Sequence, residues 1–234
     1  DSTIGDGSLP NAKPLLFNVG EAAYLAGYAA AAMSASGAVG TYLGEELPPT
    51  VDFANGFADG VAKFNEAKGA DVRVEGWDRA AQSGLVLGNP GNQEEAQGAA
   101  QELIDAGADV IMPVAGGAGV EALEAATAHP GTMVIWVDVD GAEADPEFAG
   151  VILTSVLKEV GASVFATIQA AAGGTWSAEP YVGTLGNGGV GLAPWHDFTE
   201  PVEGVEGLAP ELDALREAII SGEIVVESGT APVE

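Results

Sequence analysis

The stretch 107–140 constrains the fold most. An apolar run, Ala108-Asp-Val-Ile-Met-Pro-Val-Ala115, breaks into Gly116-Gly-Ala-Gly119, a helical pattern follows, and a second apolar run closes the segment as Met133-Val-Ile-Trp-Val-Asp138. Short Val/Ile-rich runs without polar alternation suit strands buried on both faces. The intervening residues are enough for a crossover helix, so the segment predicts a right-handed β-α-β unit. In open parallel sheets ligands sit at the carboxyl ends of strands, which is where Gly116 to Gly119 and Asp138 fall.

The remaining chain repeats this alternation. A helix is expected over 21–33, where Ala22, Leu25, Ala26, Ala29, Ala30 and Met33 recur at three and four and where small residues let a partner approach closely. A strand over 39–43 and a helix over 51–65 follow, with Phe53, Phe57 and Phe64 as core. A strand over 71–77 ends in Gly76-Trp77, and a helix over 93–106 leads into the central unit. Beyond it come a strand over 150–154 running into Lys158, a helix to 171, a strand over 181–185 and a closing helix over 210–221. The pattern is that of an α/β protein with parallel sheets flanked by helices.

Composition narrows the function. Seven Lys and Arg against 35 Asp and Glu give a formal charge of −28, which repels phosphate backbones and excludes nucleic acid as a partner. No apolar run approaches the roughly 18–20 residues of a membrane span. With no cysteine, and with His129 and His196 far apart, neither a thiolate nor a zinc centre is expected, and no cofactor is called for.

Three constellations carry candidate chemistry. Gly117-Ala-Gly119-Val-Glu-Ala122 matches a dinucleotide-binding fingerprint, with Asp138 nineteen residues past the second glycine, so an alternative reading is a dinucleotide-binding oxidoreductase domain using Gly117, Gly119 and Asp138. Against it, two strand-helix units precede the motif, which normally occupies the first. In Asp138-Val-Asp140, a carboxylate at a strand's end can accept two hydrogen bonds from vicinal hydroxyls of a sugar. We assign that role to Asp138 and a solvated turn to Asp140, because alternate strand residues face opposite ways. Lys158, one of four lysines, stands at a strand's end, where either a ligand or an ion pair with Glu159 or Asp138 would explain it. Trp77 could stack on a planar ligand or pack beneath a loop. No nucleophile-base pair, paired acids or metal motif is present, so the expectation is binding without chemistry.

The residues also carry a resemblance. Glu21-Ala-Ala-Tyr-Leu-Ala-Gly27, Val39-Gly-Thr-Tyr42, Phe53-x-x-Gly-Phe-x-x-Gly60, Gly107-Ala-Asp-Val-Ile-x-x-Val-Ala-Gly-Gly117, Trp136-Val-Asp-Val-Asp140 and Ile152-Leu-Thr-Ser-Val-Leu-Lys158, in that order, resemble the basic membrane protein family. These are substrate-binding lipoproteins of ABC importers, related to a purine-nucleoside receptor. The resemblance implies a type 1 periplasmic-binding fold of two lobes, a nucleoside ligand, an ABC permease as partner, and export to the cell surface or periplasm on a lipid anchor. It implies that Asp138 holds the ribose hydroxyls and that Lys158 reaches the cleft. By the same resemblance Ala115, Gly116, Gly76 and Trp77 line strand ends, and Glu21 is a further match. Met112 stands where the family often has an aromatic, leaving Trp77 as the candidate stacking residue.

The resemblance further implies that the amino-terminal lobe is incomplete. The expected division is 38–154 with 177–234 as the carboxyl-terminal lobe, and 1–37 with 155–176 as a remnant of the other. On that division the 21–33 helix and the 156–171 helix, with Val160, Val164 and Ile168, lack strands to cover, and the chain made alone should associate through both.

Overall fold

The computed structural model describes residues 9–199 and 207–229. The first eight residues of the expected 1–37 segment lie outside them. Strand β1 (Leu15–Phe17) leads into helix α1 (Val19–Met33), strand β2 (Ala38–Leu43) and helix α2 (Pro48–Lys68). Strand β3 (Arg73–Glu75) is followed by a small hairpin, β4 (Trp77–Asp78) with β5 (Ser83–Gly84), so the strand expected over 71–77 is interrupted at Gly76. Then come α3 (Gln93–Asp105), β6 (Val110–Val114), α4 (Val120–Ala128), β7 (Met133–Asp138) and the single turn α5 (Gly141–Ala144). The chain continues as β8 (Ile152–Lys158), α6 (Val160–Ala172), β9 (Tyr181–Gly183), β10 (Val190–Leu192) and α7 (Leu208–Ile220).

Six strands form one sheet in the order β10-β8-β7-β6-β2-β3, parallel except for β10. Period-two alternation sends successive side chains to opposite faces. On one face Tyr42, Ile111, Val134 and Trp136 pack with Leu103 and Leu123 of α3 and α4. On the other, Val110, Met112, Ile135 and Val137 pack with α1, α2 and α7. Both faces are thus sheathed, which is why β6 and β7 read as unbroken apolar runs.

The small residues of the first helix have a definite partner. A Cβ on Gly27 would lie 2.0 Å from the Phe57 carbonyl oxygen, and one on Gly60 would lie 2.0 Å from that of Tyr24, so glycines let α1 and α2 cross almost backbone to backbone. Tyr28 Oη also donates to Glu211 of α7 at 2.7 Å.

The observed contacts and strand pairings depart from those expected in three places. Helix α1 is not left uncovered: it is buried against α2, the sheet and α7, with Leu25, Ala29 and Ala30 in the core. Residues 155–158 do not leave the main sheet, because β8 continues to Lys158 and pairs there with both β7 and β10. Strand β9 does not join the main sheet but pairs in parallel with β1, residue for residue from Leu15↔Tyr181 to Phe17↔Gly183. Helix α6 lies beside this two-stranded unit and, of its own residues, buries only Ser163.

Candidate functional site

The ends of β7 and β8 build the site. Their register sets Asp138 opposite Leu157, so Asp138 and Lys158 close adjacent parallel strands at the same edge of the sheet. Lys158 Nζ lies 3.0 Å from Asp138 Oδ1 and 5.2 Å from the ring centroid of Phe53 on α2. A carboxylate on one side and an aromatic face on the other hold the ammonium in one place. The pair is unequally covered: the Lys158 side chain is 13% exposed, that of Asp138 50%. Asp138 has a φ of 72°, a left-handed conformation that Asp adopts more readily than most residues.

Both residues line a cleft of ≈ 760 Å³ whose opposite wall is Lys13, Pro14, Leu15 and Phe17. The cleft therefore lies between the main sheet and the small β1–β9 unit. Two of the chain's four lysines border it, in a protein with only seven basic residues. The Lys13 ammonium donates to the carbonyl oxygen of Glu179.

The other candidate residues are placed elsewhere. Ala115 is buried and Gly116 is exposed with a φ of 55°, both at the end of β6 and outside the lining of this cleft. Gly76 has a φ of 80°, and a Cβ there would meet the Thr41 carbonyl oxygen at 2.2 Å, so its glycine serves the turn out of β3. Trp77 is 4% exposed and donates Nε1–H to Asn55 Oδ1 at 3.0 Å. It is buried in the core shared with α1 and α2 and is not among the residues that line the cleft.

Glu21 fastens the connection between the two parts of the molecule. Its Oε2 accepts from the Leu185 amide at 2.7 Å and its Oε1 from Asn18 Nδ2 at 2.8 Å, while Asn18 N–H donates to the Gly183 carbonyl at 2.8 Å. Two of the chain's passages between the small unit and the main sheet are pinned together there. Burial pushes the Glu21 carboxyl up from 4.5, against the lowering effect of these two hydrogen bonds.

Asp140 is not in a solvated turn. Its Oδ1 caps α5 by accepting from the Ala142 amide at 3.2 Å, and its Oδ2 lies 2.7 Å from His196 Nε2. Gly119 also has a local reason: a Cβ there would come within 3.1 Å of the Trp136 ring, so the glycine makes room for core packing. Phe53, Phe17 and Lys13 were not singled out as site residues in the sequence. Phe53 reads as core because it is core; only its nearness to Lys158 gives it a second contact.

The model of the family of ABC transporter substrate-binding proteins described as PnrA-like matches residues 6–230. The chain belongs to this family. Among solved structures, it is similar to a solute-binding protein of an ABC transporter system from Aeropyrum pernix K1, at 25% identity and a TM-score of 0.74, over 96% of this chain and 68% of that one. A solute-binding protein of the same kind from Conexibacter woesei DSM 14684 matches at 23% identity and a TM-score of 0.69, over 95% and 68% of the two chains. A transcriptional activator of the comK gene from Bacillus halodurans matches at 21% identity and a TM-score of 0.74, over 93% and 68%. No curated protein matches. The fold is type 1 periplasmic-binding-protein-like, and the family is the substrate-binding component of ABC transport, which takes a small molecule and works with a membrane permease. The comK likeness shows why the fold alone does not name the ligand.

Proposed function

We propose that the chain binds a nucleoside, a purine nucleoside first, in the cleft between Asp138–Lys158 and Lys13–Phe17, and releases it unchanged to an ABC permease. The observation that carries this reading is the pairing of Asp138 with Lys158 at the end of two adjacent strands. A carboxylate fixed at one oxygen by an ammonium, and still half exposed, suits a vicinal diol: the hydroxyls donate to the acid while the lysine can donate to a hydroxyl oxygen. Asp138 is also the position that the resemblance assigns to the ribose hydroxyls, and Lys158 the one it brings to the cleft.

The small unit of β1, β9 and α6 then belongs to a second lobe, and the segments at Asn18, Glu159 and 184–189 act as its hinge. A ligand that touches both walls favours the closed arrangement, which is how two-lobed binders signal occupancy. Export and a lipid anchor at the cell surface complete this reading, on the strength of the same resemblance.

Calorimetry with a panel of purine and pyrimidine nucleosides, free ribose and NAD tests it. Binding of a nucleoside that is recovered intact supports the proposal. Tight binding of NAD with no nucleoside binding would replace it with the dinucleotide alternative.

A further inference from the structure

Asp138 stands on a strained turn. Its φ is 72°, and across it the Val139 amide donates to the Val137 carbonyl at 2.9 Å, which makes 137–139 a three-residue γ-turn of the rare kind with a positive φ at its centre. Backbone of this sort persists only where its surroundings over-determine it. Before the turn, the pairing of Asp138 with Leu157 on β8 supplies part of that constraint. After it, the chain is gripped at two successive residues. The Gly141 amide donates to the buried Ser155 Oγ at 3.0 Å, and a Cβ on Gly141 would lie 2.7 Å from the Trp136 ring, so the backbone there is pressed against β7 and β8.

The other grip is on Asp140, and it comes from far along the chain. Capping of α5 uses only Oδ1 of Asp140; Oδ2 lies 2.7 Å from His196 Nε2. A carboxylate can only accept, so the imidazole carries a proton on Nε2. The histidine is itself well anchored. Three residues before it, the Ala193 amide donates to the Ser155 carbonyl at 2.9 Å and the Ala193 carbonyl accepts from Thr154 Oγ1 at 2.8 Å, which bolts this segment to β8. His196 has a φ of 43°, a second strained residue in direct contact with the first one's turn. The two side chains are 25% and 15% exposed, and neither lines the cleft.

We propose that His196 is a positioning residue for the sugar contact: by holding Asp140 two residues past the γ-turn, it fixes the backbone that aims the Asp138 carboxylate into the cleft. That role presupposes Asp138 as the residue that takes the ribose hydroxyls. A carboxylate already held in its binding geometry has no ordering cost left to meet when the ligand arrives. Released from His196, the turn relaxes toward ordinary extended backbone, and the carboxylate leaves its place beside Lys158.

Calorimetry on the full chain with adenosine, guanosine, inosine and their dideoxy analogues tests this. His196→Ala should weaken ribonucleoside binding by about tenfold and dideoxy binding much less. His196→Gln keeps an N–H donor of similar reach and should recover most of the loss. Asp138→Asn combined with His196→Ala should be no weaker than Asp138→Asn alone, because the histidine acts only through that carboxylate. Additive losses, equal losses in the two ligand series, or no recovery with glutamine would overturn the proposal. Native-state amide exchange reads the turn without any ligand: the Val139 amide should exchange faster in His196→Ala and return toward the parent rate in His196→Gln. An unchanged Val139 amide would overturn the proposal whether or not a nucleoside binds. A parent chain that binds none of the nucleosides, yet shows the Val139 response, would support the clamp on the turn and overturn the ribose reading of Asp138.

Discussion

Lys158 and Asp138 are the last residues of neighbouring parallel strands, and their side chains meet at 3.0 Å over the edge of the sheet. Because the strands are parallel and in register, both point their ends toward the same cleft. The lysine is the better buried of the two and has the Phe53 ring on its other side, so the ammonium is fixed and the carboxylate remains available.

Asp138→Asn is the substitution that tests the sugar contact. Asn tolerates the left-handed backbone at this position, whereas Ala would add strain of about 1–2 kcal/mol and confuse the result. Affinity for ribonucleosides should fall roughly tenfold or more, and affinity for dideoxy analogues much less. Equal losses in the two series, measured by calorimetry, would make Asp138 a structural residue.

Trp77→Phe separates a structural tryptophan from a stacking one. The change removes the Nε1–H bond to Asn55 Oδ1, which keeps the Gln82 amide as its other donor, and shrinks a buried side chain. Urea unfolding should show a loss of about 1–3 kcal/mol, with ligand affinity unaltered. A large loss of affinity at unchanged stability would return the ring to the cleft.

Two helical glycines, one in the crossing of α1 and α2 and one in α3, should respond to alanine with opposite signs. Gly60→Ala drives a methyl group into the Tyr24 carbonyl and should destabilise by about 1–3 kcal/mol or more. Gly98 in α3 has open space around its Cβ position, so Gly98→Ala should stabilise by about 0.5–1 kcal/mol. Thermal melting of the two variants against the parent gives both signs in one experiment.

Glu21 makes stability depend on pH in a definite direction. Burial raises its carboxyl above 4.5, so the folded chain holds this proton more tightly than the unfolded one does. The contribution is full below 4.5 and is lost as pH rises through the raised folded value. Glu21→Gln has no such proton to lose. The stability of the variant relative to the parent should therefore rise from pH 4.5 toward neutrality, read by urea unfolding at each pH. A difference that stays flat, or that falls, would show that burial does not dominate at this carboxylate.

Local pattern carried much of the architecture. The Val110–Val114 and Met133–Asp138 runs and the helix between them could be placed from the sequence because their apolar character reflects burial on both faces, which is a property of the residues themselves. The adjacency of Asp138 and Lys158 was open to inference for a related reason: each ends an apolar run, and strand ends in a parallel sheet share an edge.

What the sequence did not reveal involves segments far apart in the chain. Leu15–Phe17 and Tyr181–Gly183 are three-residue strands too short to carry a period, and only the folded path brings them together. The continuation of β8 past Thr154 depends on β10 lying beside it in an antiparallel arrangement. Helix α1 seemed to lack a partner because its partner is another helix, met through glycines whose missing side chains leave no apolar signal. Glu21 resembled a cleft residue by position, and its role as a clasp comes from the Leu185 amide, 164 residues away. The sequence by itself determined the longer strands and helices and which strand ends could hold a ligand, since burial and periodicity are written locally. The tertiary structure alone decided which helix is covered, which glycine is a contact and which acid is a fastener, since each of these depends on a neighbour that the chain order does not name.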